Sequence, residues 1–345
     1  MPRGLIAVVG PTAAGKSELA LRLARALGGE VVNADSMQLY RGMDIGTGKL
    51  SAAERDGVPH HLLDIWDVTE PASVSQYQRL ARAAVAEILG RGRTPLLVGG
   101  SGLYVRAVID KLEFPGTDPA LRARLEAELA RTGPGALHAR LAAADPAAAV
   151  AILPSNGRRI VRALEVIELS GRPFSATMPG YVSVLPAVQL GLDVPRPDLD
   201  RRIETRVRQM WRDGLAEEVR RLAGPAAPGG GLRAGRTASR ALGYSQALRF
   251  IDGEWSQEQA IDETVRATRR FARRQESWFR RDPRVRWLSA AEPVPTAAAV
   301  AAVAAGPVAA GPVAAGPVAA GPVAAGELAA GGVAAAEELQ SGGHG

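Results

Sequence analysis

The sequence predicts an α/β fold: a parallel-sheet core that carries a phosphate-binding loop, with a helical insertion domain and a disordered C-terminal tail. Three observations predict it. Strand and helix signals alternate from residue 5 to residue 110, as a parallel sheet with crossover helices requires. Gly10-Pro11-Thr12-Ala13-Ala14-Gly15-Lys16-Ser17 fits the pattern G-x-x-x-x-G-K-[ST], between the apolar run Leu5–Val9 and a helix-forming run from Glu18 to Leu27. From Ala297 the chain repeats Ala-Ala-Gly-Pro-Val, where recurring Gly and Pro forbid a continuous helix and no large side chain can build a core.

Leu5–Val9 is predicted as the first core strand. In the loop after it, two glycines let the backbone wrap with amide groups facing an anion. Lys16 adds a point charge, and the Ser17 hydroxyl can hold magnesium. A helix is predicted over Ser17–Leu27, a strand over Glu30–Ala34, a helix over Ser75–Leu89 and a strand over Thr94–Val98. Ligands of open α/β sheets gather at the carboxyl ends of the strands. The phosphate loop, Asp35-Ser36-Met37-Gln38 and Gly99-Gly100-Ser101-Gly102 are therefore expected to face one crevice.

Asp118 to Leu169 reads as helical and rich in Ala and Arg. Pro119 sits near a start, and Leu121, Leu125 and Leu129 recur at helical spacing. Gly133-Pro134-Gly135 breaks the run, a second helix comes after it, and a third covers Gly157–Leu169. Val188–Leu192 is apolar enough for a returning core strand, and Arg201–Leu222 and Gln257–Phe279 read as helices. The expected division is an α/β core of residues 1–117 and 185–290, a helical insertion over 118–184, and a tail over 297–345 without catalytic role.

Composition narrows the chemistry. With no cysteine there is no disulfide, thiolate metal site or cysteine nucleophile. His60, His61, His138 and His344 show no metal-ligand spacing, and no apolar run is long enough to span a bilayer. A cytoplasmic protein is the default expectation. Lys and Arg number 42 against 36 Asp and Glu, and four of those acids lie after Ala291, where no Lys or Arg occurs; the first 290 residues therefore carry +10. A basic folded part suggests a polyanionic partner, nucleic acid ahead of membrane, although a genome that favours Arg over Lys gives the same excess.

Asp35 comes directly after the second strand and should stand near the phosphates, where a carboxylate can act as a general base or hold magnesium. An Asx-turn or helix N-cap is the structural alternative. The next strand ends in Val98-Gly99-Gly100 rather than an acid, which counts against a mechanical NTPase and leaves a small-molecule kinase as a reading. Gly99–Tyr104 would place a hydroxyl and a flexible backbone against a ligand, or form a plain strand-to-helix turn. In Arg266–Arg286, Phe271 and Trp278 share a helix face and are expected in the core. The arginines at 266, 270, 273 and 274 then form a stripe suited to phosphate oxygens, or a solvated face.

Taken together, these stretches resemble the tRNA isopentenyltransferase (tRNA dimethylallyltransferase) family, which modifies an adenosine beside the anticodon. The match is carried by Gly10–Ser17, Asp35–Tyr40, Asp44-Ile45-Gly46-Thr47, Val58–Asp64, Val98–Tyr104, Arg158–Val166, Ala241-Leu242-Gly243-Tyr244 and Arg273-Arg274-Gln275. They stand in the family's order and span most of Leu5 to Leu288. The resemblance implies a P-loop NTPase-like core whose loop, Gly10 to Ser17, holds the diphosphate of dimethylallyl diphosphate rather than ATP. It implies Asp35 as general base, Lys16 and Mg2+ on Ser17 stabilising the departing diphosphate, Arg206 as a clamp, and Ser101 touching the substrate. It further implies tRNA contacts from Asp35, Ser36, Met37, Gln38 and Ser101, from Arg158, Arg159, Ile160, Val161 and Arg162, and from Arg122 or Arg124. The insertion would grip the anticodon stem of a tRNA, and a monomer is expected.

The sequence departs from the family pattern in three places. Ser101 stands where Thr is usual, Gly48 where Ala is usual, and Ser155-Asn156-Gly157 replaces Pro-Asn-Asp, removing an N-cap carboxylate before the Arg-rich helix. The kinase and a non-catalytic nucleotide- or RNA-binding module remain the alternatives. The kinase leaves the basic excess and the insertion unused; the binding module leaves Asp35 beside a complete phosphate loop unexplained.

Overall fold

A computed structural model describes residues 4–177, 180–224, 228–290 and 294–307. Among them the strands are β1 (Leu5–Val9), β2 (Gly29–Asn33), β3 (His60–His61), β4 (Thr94–Gly99), β5 (Ala187–Asp193) and β6 (Val285–Ser289). They form one six-stranded sheet, all of whose pairings are parallel, in the order β3-β2-β4-β1-β5-β6. β1, β2 and β4 are buried along their whole length, as strands covered on both faces must be. The α/β expectation and its first three strands stand. The short edge strand β3 and the half-exposed β6 carry too weak an apolar signal to be read from sequence.

Helices α1 (Lys16–Leu27), α2 (Val74–Gly90) and α3 (Gly102–Ile109) come after β1, β3 and β4. Before β5 lie α4 (Pro119–Ala144), α5 (Pro146–Ala151) and α6 (Gly157–Ser170). After β5 come α7 (Arg196–Arg212), α8 (Leu215–Ala223), α9 (Gly231–Ala234), α10 (Tyr244–Ile251), α11 (Gln257–Arg280) and, beyond β6, α12 (Thr296–Ala304). Where one helix is expected over Arg201–Leu222 there are two, because Gly214 takes φ 102° between α7 and α8 and turns the chain. The buried face of α11 is built on Ala272, Gln275 and Phe279, so Phe271 and Trp278, expected in the core, are only half-buried beside it.

The tail needs correction at its start. Residues 297–304 belong to α12, whose Ala299 is fully buried, and Ala302 accepts a hydrogen bond from Arg286. The reason is local: Gly306-Pro307 is the first Gly-Pro of the repeat, and the Ala- and Val-rich stretch before it is free to be helical. The repeat beyond Pro307 lies outside the described residues.

The chain divides into two compact units. Among the described residues, one comprises those up to Val108 together with those from Pro186 to Pro307; it contains the sheet. The other is Ile109–Leu185. The second unit starts before Asp118 because its ends are tied together: Asp110 bridges to Ser183, Lys111 N donates to Val182 O and Val184 N donates to Ile109 O. Within it, α4 is broken at Gly133 (φ 77°, ψ 168°), as the Gly-Pro-Gly run predicts. Leu125, Leu137, Leu141, Ile160, Val161 and Leu164 form its core. Asn156 caps α6 through its side chain, accepting from Arg159 N at 3.2 Å, so the missing carboxylate leaves the helix start satisfied.

Candidate active site

The phosphate loop leaves β1 where Val9 is in register with Gly99 of β4 and Gly191 of β5. Ala13 holds φ 63°, unusual for a residue with a Cβ, at the crest of the loop. Lys16 opens α1, and its Nζ donates to Pro11 O at 2.7 Å, curling the side chain back over the loop. Burial lowers the Lys16 ammonium from 10.5 to about 8; Asp35 pulls the value upward and Arg206 pushes it down. These three charges therefore feel one another. Ser17 is exposed in the first turn of α1.

Asp35 is placed by Asn33, the last residue of β2. Asn33 Oδ1 accepts from Asp35 N at 2.9 Å, its Nδ2 donates to Asp35 O at 3.0 Å, and Tyr77 Oη donates to Asn33 O at 2.8 Å. Asp35 Oδ1 accepts from Met37 N at 2.9 Å, so the Asx-turn does form. It occupies one carboxylate oxygen and leaves Oδ2 for other work.

The third loop closes on the other two. Ser36 N donates to Ser101 Oγ at 3.3 Å, joining the Asp35 loop to the loop after β4. Gln275 of α11, buried, accepts from Thr12 N at 2.8 Å and donates to Gly100 O at 2.9 Å. One amide thus ties the phosphate loop to the glycine-rich loop, and Gly100 is needed because a Cβ would overlap that amide. All three loops face one crevice, as expected from the strand ends.

Opposite them stands α7. Arg206 lines the same cavity as Asp35, Ser101 and Thr12, with Met210 and Phe271 supplying apolar wall. No hydrogen bond or ion pair among the described residues ties Arg206; burial lowers its guanidinium from the ordinary value while Asp35 opposes that shift. Gly48, at φ 61°, lies directly against this guanidinium, which occupies the space where an alanine Cβ would be. The family departure at position 48 thus bears on where Arg206 rests.

The other predicted tRNA contacts are unevenly available. Ser36 is buried, and Gln38 donates to Thr47 O at 3.2 Å. In the second unit, Ile160 and Val161 are packed in the core and Arg159 is buried, so their side chains offer no surface. Arg122 and Arg162 both pair with the fully buried Glu165, and Arg124 pairs with Glu168. Arg158 alone of Arg158–Arg162 is exposed. On α11, Arg266 and Arg270 both pair with Glu263, which leaves Arg273 and Arg274 as the part of the stripe not spent on carboxylates among the described residues.

Sequence reasoning missed Asn33, Glu218 and the bridging role of Gln275. An Asn closing a buried strand two residues before Asp35 is the one signal available. Glu218 and Gln275 act across the chain and leave no local pattern.

Three comparisons bear on this arrangement. A family model described as IPP transferase matches residues 38–282. A tRNA dimethylallyltransferase from Salinispora arenicola is 67% identical over 87% of this chain and 86% of its own length. The full-length tRNA isopentenylpyrophosphate transferase of Bacillus halodurans aligns with TM-score 0.62 and 42% identity, covering 87% of this chain and 94% of that one. A eukaryotic dimethylallyltransferase acting on tRNA aligns with TM-score 0.69 at 26% identity, over 84% of this chain and 74% of that one. The parallel sheet, its loops and these likenesses agree: the chain belongs to the IPP transferase family.

Proposed function

We propose that this protein is a tRNA dimethylallyltransferase: it transfers a dimethylallyl group from dimethylallyl diphosphate to the exocyclic N6 amine of the tRNA adenosine 3′-adjacent to the anticodon, releasing diphosphate. The observation that carries this reading is the meeting of Asp35 and Arg206 in one cavity with an apolar wall, with Lys16 on the adjoining cavity that both also line, near enough for the three charges to act on one another. Two cations suit a diphosphate, apolar side chains suit an allyl group, and a single carboxylate suits an amine that must lose a proton.

The adenine must leave its stack to reach such a cavity. Its N6 attacks the allylic carbon, the carbon–oxygen bond breaks with its electron pair passing to the diphosphate, and the amine proton moves to Asp35. The Asx-turn supports this role by orienting the carboxylate through Oδ1 and leaving Oδ2 as acceptor. Lys16, the loop amides and Arg206 stabilise the charge that grows on the leaving group. Ser17, exposed in the first turn after the loop, would be the residue to hold Mg2+, since no group of three His, Asp or Glu that could hold a metal occurs among the described residues. When bound there it would supply further charge neutralisation. Of the arginines that the sequence singles out, Arg158 and Arg273 are exposed and Arg274 is half-buried, and none of the three forms an ion pair among the described residues, which leaves them available to RNA phosphates. Work on tRNA suits the cytoplasm, and no helix among the described residues is long and apolar enough to cross a membrane.

Incubation with labelled dimethylallyl diphosphate, magnesium and unmodified tRNA tests the proposal. Label in tRNA at the adenosine next to the anticodon is the expected outcome. Unlabelled tRNA together with ATP-dependent phosphorylation of a small hydroxylated acceptor would establish the kinase instead.

A further inference from the structure

One buried carboxylate takes no part in this chemistry and is nevertheless saturated with hydrogen bonds. Glu218 of α8 is 5% exposed. Its Oε2 accepts from Ile45 N at 2.8 Å and Asp44 N at 3.1 Å; its Oε1 accepts from Gly46 N at 3.3 Å and from the Tyr244 hydroxyl at 2.5 Å. Three consecutive amides converging on one point form the kind of concavity that binds anions, and here the chain supplies the anion itself. Tyr244 is held as a neutral phenol, and so as a donor, because burial and the Glu218 charge both push its ionisation well upward.

The loop so held is part of the cavity. Gly46 and Thr47 line it, and Gly46 backs so closely onto the Tyr244 ring and Leu215 that a Cβ would overlap them. Gln38 holds the loop at Thr47 O, and Lys49, just beyond it, donates back to Asp44 and to Tyr40 O. Between these anchors Gly48 presses on the Arg206 guanidinium. A line of contact therefore runs from Glu218 through residues 44–46 to Gly48 and Arg206.

We propose that Glu218, with Tyr244, is a positioning residue for the transfer: it fixes the Asp44–Gly48 loop and through that loop sets where the Arg206 guanidinium meets the diphosphate. The inference rests on the reading of Arg206 as the diphosphate clamp. It differs from a general stabilising role, in which Glu218 would support the fold without bearing on Arg206 in particular. Glu218→Gln keeps size and shape but turns an NH2 group toward amide donors, so at least one loop amide loses its acceptor.

A double-mutant cycle separates the two roles. Affinity for inorganic diphosphate is measured calorimetrically on the full chain for Glu218→Gln, Tyr244→Phe, Arg206→Ala and the doubles with Arg206→Ala, alongside kcat and KM for the transfer. Glu218→Gln is expected to weaken diphosphate binding by about 5- to 20-fold and Tyr244→Phe by about 2- to 5-fold, the range of a lost buried hydrogen bond. In the Arg206→Ala background either change should add less than about twofold, and KM for tRNA should stay within about twofold throughout. An equal loss in both backgrounds, or full diphosphate affinity in Glu218→Gln, overturns the positioning role. Unchanged affinity in Arg206→Ala alone sinks the clamp on which it rests. If Glu218→Gln does not fold, the Tyr244→Phe cycle distinguishes the two roles by the same criterion.

Discussion

The two walls of the cavity hold their charges by different means. On one, Lys16 and Asp35 sit on loops that leave β1 and β2 directly, and each is fixed by neighbours: Pro11 O for Lys16, Asn33 and Met37 N for Asp35. On the other, Arg206 stands on α7 against a loop that Glu218 reaches from 174 residues away. Short-range bonds at the end of a buried strand have little freedom to move. A wall assembled from distant pieces keeps its geometry only while each piece is present. The side-chain positions of Lys16 and Asp35 should therefore yield mainly to changes in those groups and their immediate neighbours, whereas Arg206 should yield to substitutions that touch no ligand.

The largest effect is expected at Asp35. Asp35→Ala should cut single-turnover transfer by about two to four orders of magnitude, the usual worth of a general base, while diphosphate affinity stays nearly intact. A rate within a few-fold of the unsubstituted enzyme would reduce Asp35 to its Asx-turn.

Lys16 sharpens the same wall through pH. Its ammonium titrates near 8 in the folded chain, so the free site loses a positive charge as pH rises through that value. The diphosphate affinity of the unsubstituted protein, taken relative to Lys16→Met, should fall between about pH 7 and 9.5. A ratio that stays flat would remove Lys16 from the anion site. Stability carries the opposite sign. Between about 8 and 10.5 the unfolded chain holds a proton that the folded chain has released, so this group makes stability rise with pH across that window, and Lys16→Met should abolish that contribution.

Gly48→Ala probes the second wall with one methyl group. Position 48 has φ 61°, and a Cβ there overlaps the Arg206 guanidinium. The left-handed conformation costs about 1–2 kcal/mol for an alanine, and the flexible guanidinium must shift. A several-fold weaker affinity for diphosphate with kcat little changed is the expected result, measured by calorimetry and steady-state kinetics. Unaltered affinity would mean that Arg206 tolerates displacement, and the second wall would then be as robust as the first.

This contrast also explains which parts of the molecule are legible in the sequence. The apolar runs of β1, β2 and β4, the phosphate pattern and Asp35 are local, and a strand's carboxyl end fixes the position of the loop attached to it. Asn33 is legible too, as a polar residue ending a buried strand. Glu218 and Gln275 are not, because their meaning lies in backbone amides of loops far away in sequence. The family resemblance assigns Ile160 and Val161 to the RNA-contact segment, yet helical periodicity places them in the core of the second unit. The arginines of that unit suggest a phosphate-binding surface, but Glu165 and Glu168 neutralise Arg122, Arg124 and Arg162 in pairs that charge counting cannot locate.

The smallest effects are expected at the end of the chain, where α12 packs behind the first wall against α1, β5 and β6. A chain ending at Pro307 should transfer label to tRNA at the unaltered rate and melt at the unaltered temperature. A chain ending at Pro295 loses the buried Ala299 and the hydrogen bond from Arg286 to Ala302 O. It should melt about 2–6 °C lower, the shift that one or two lost kcal/mol brings in a domain of this size. Its kcat should hold, because the hydrogen bonds that Lys16 and Asp35 themselves make lie within their own loops and strands, and none of them comes from α12. A tenfold loss of kcat in the shorter chain, with the longer one intact, would mean that Lys16 and Asp35 depend on α12 as Arg206 depends on Glu218, and the difference between the walls would then be one of degree.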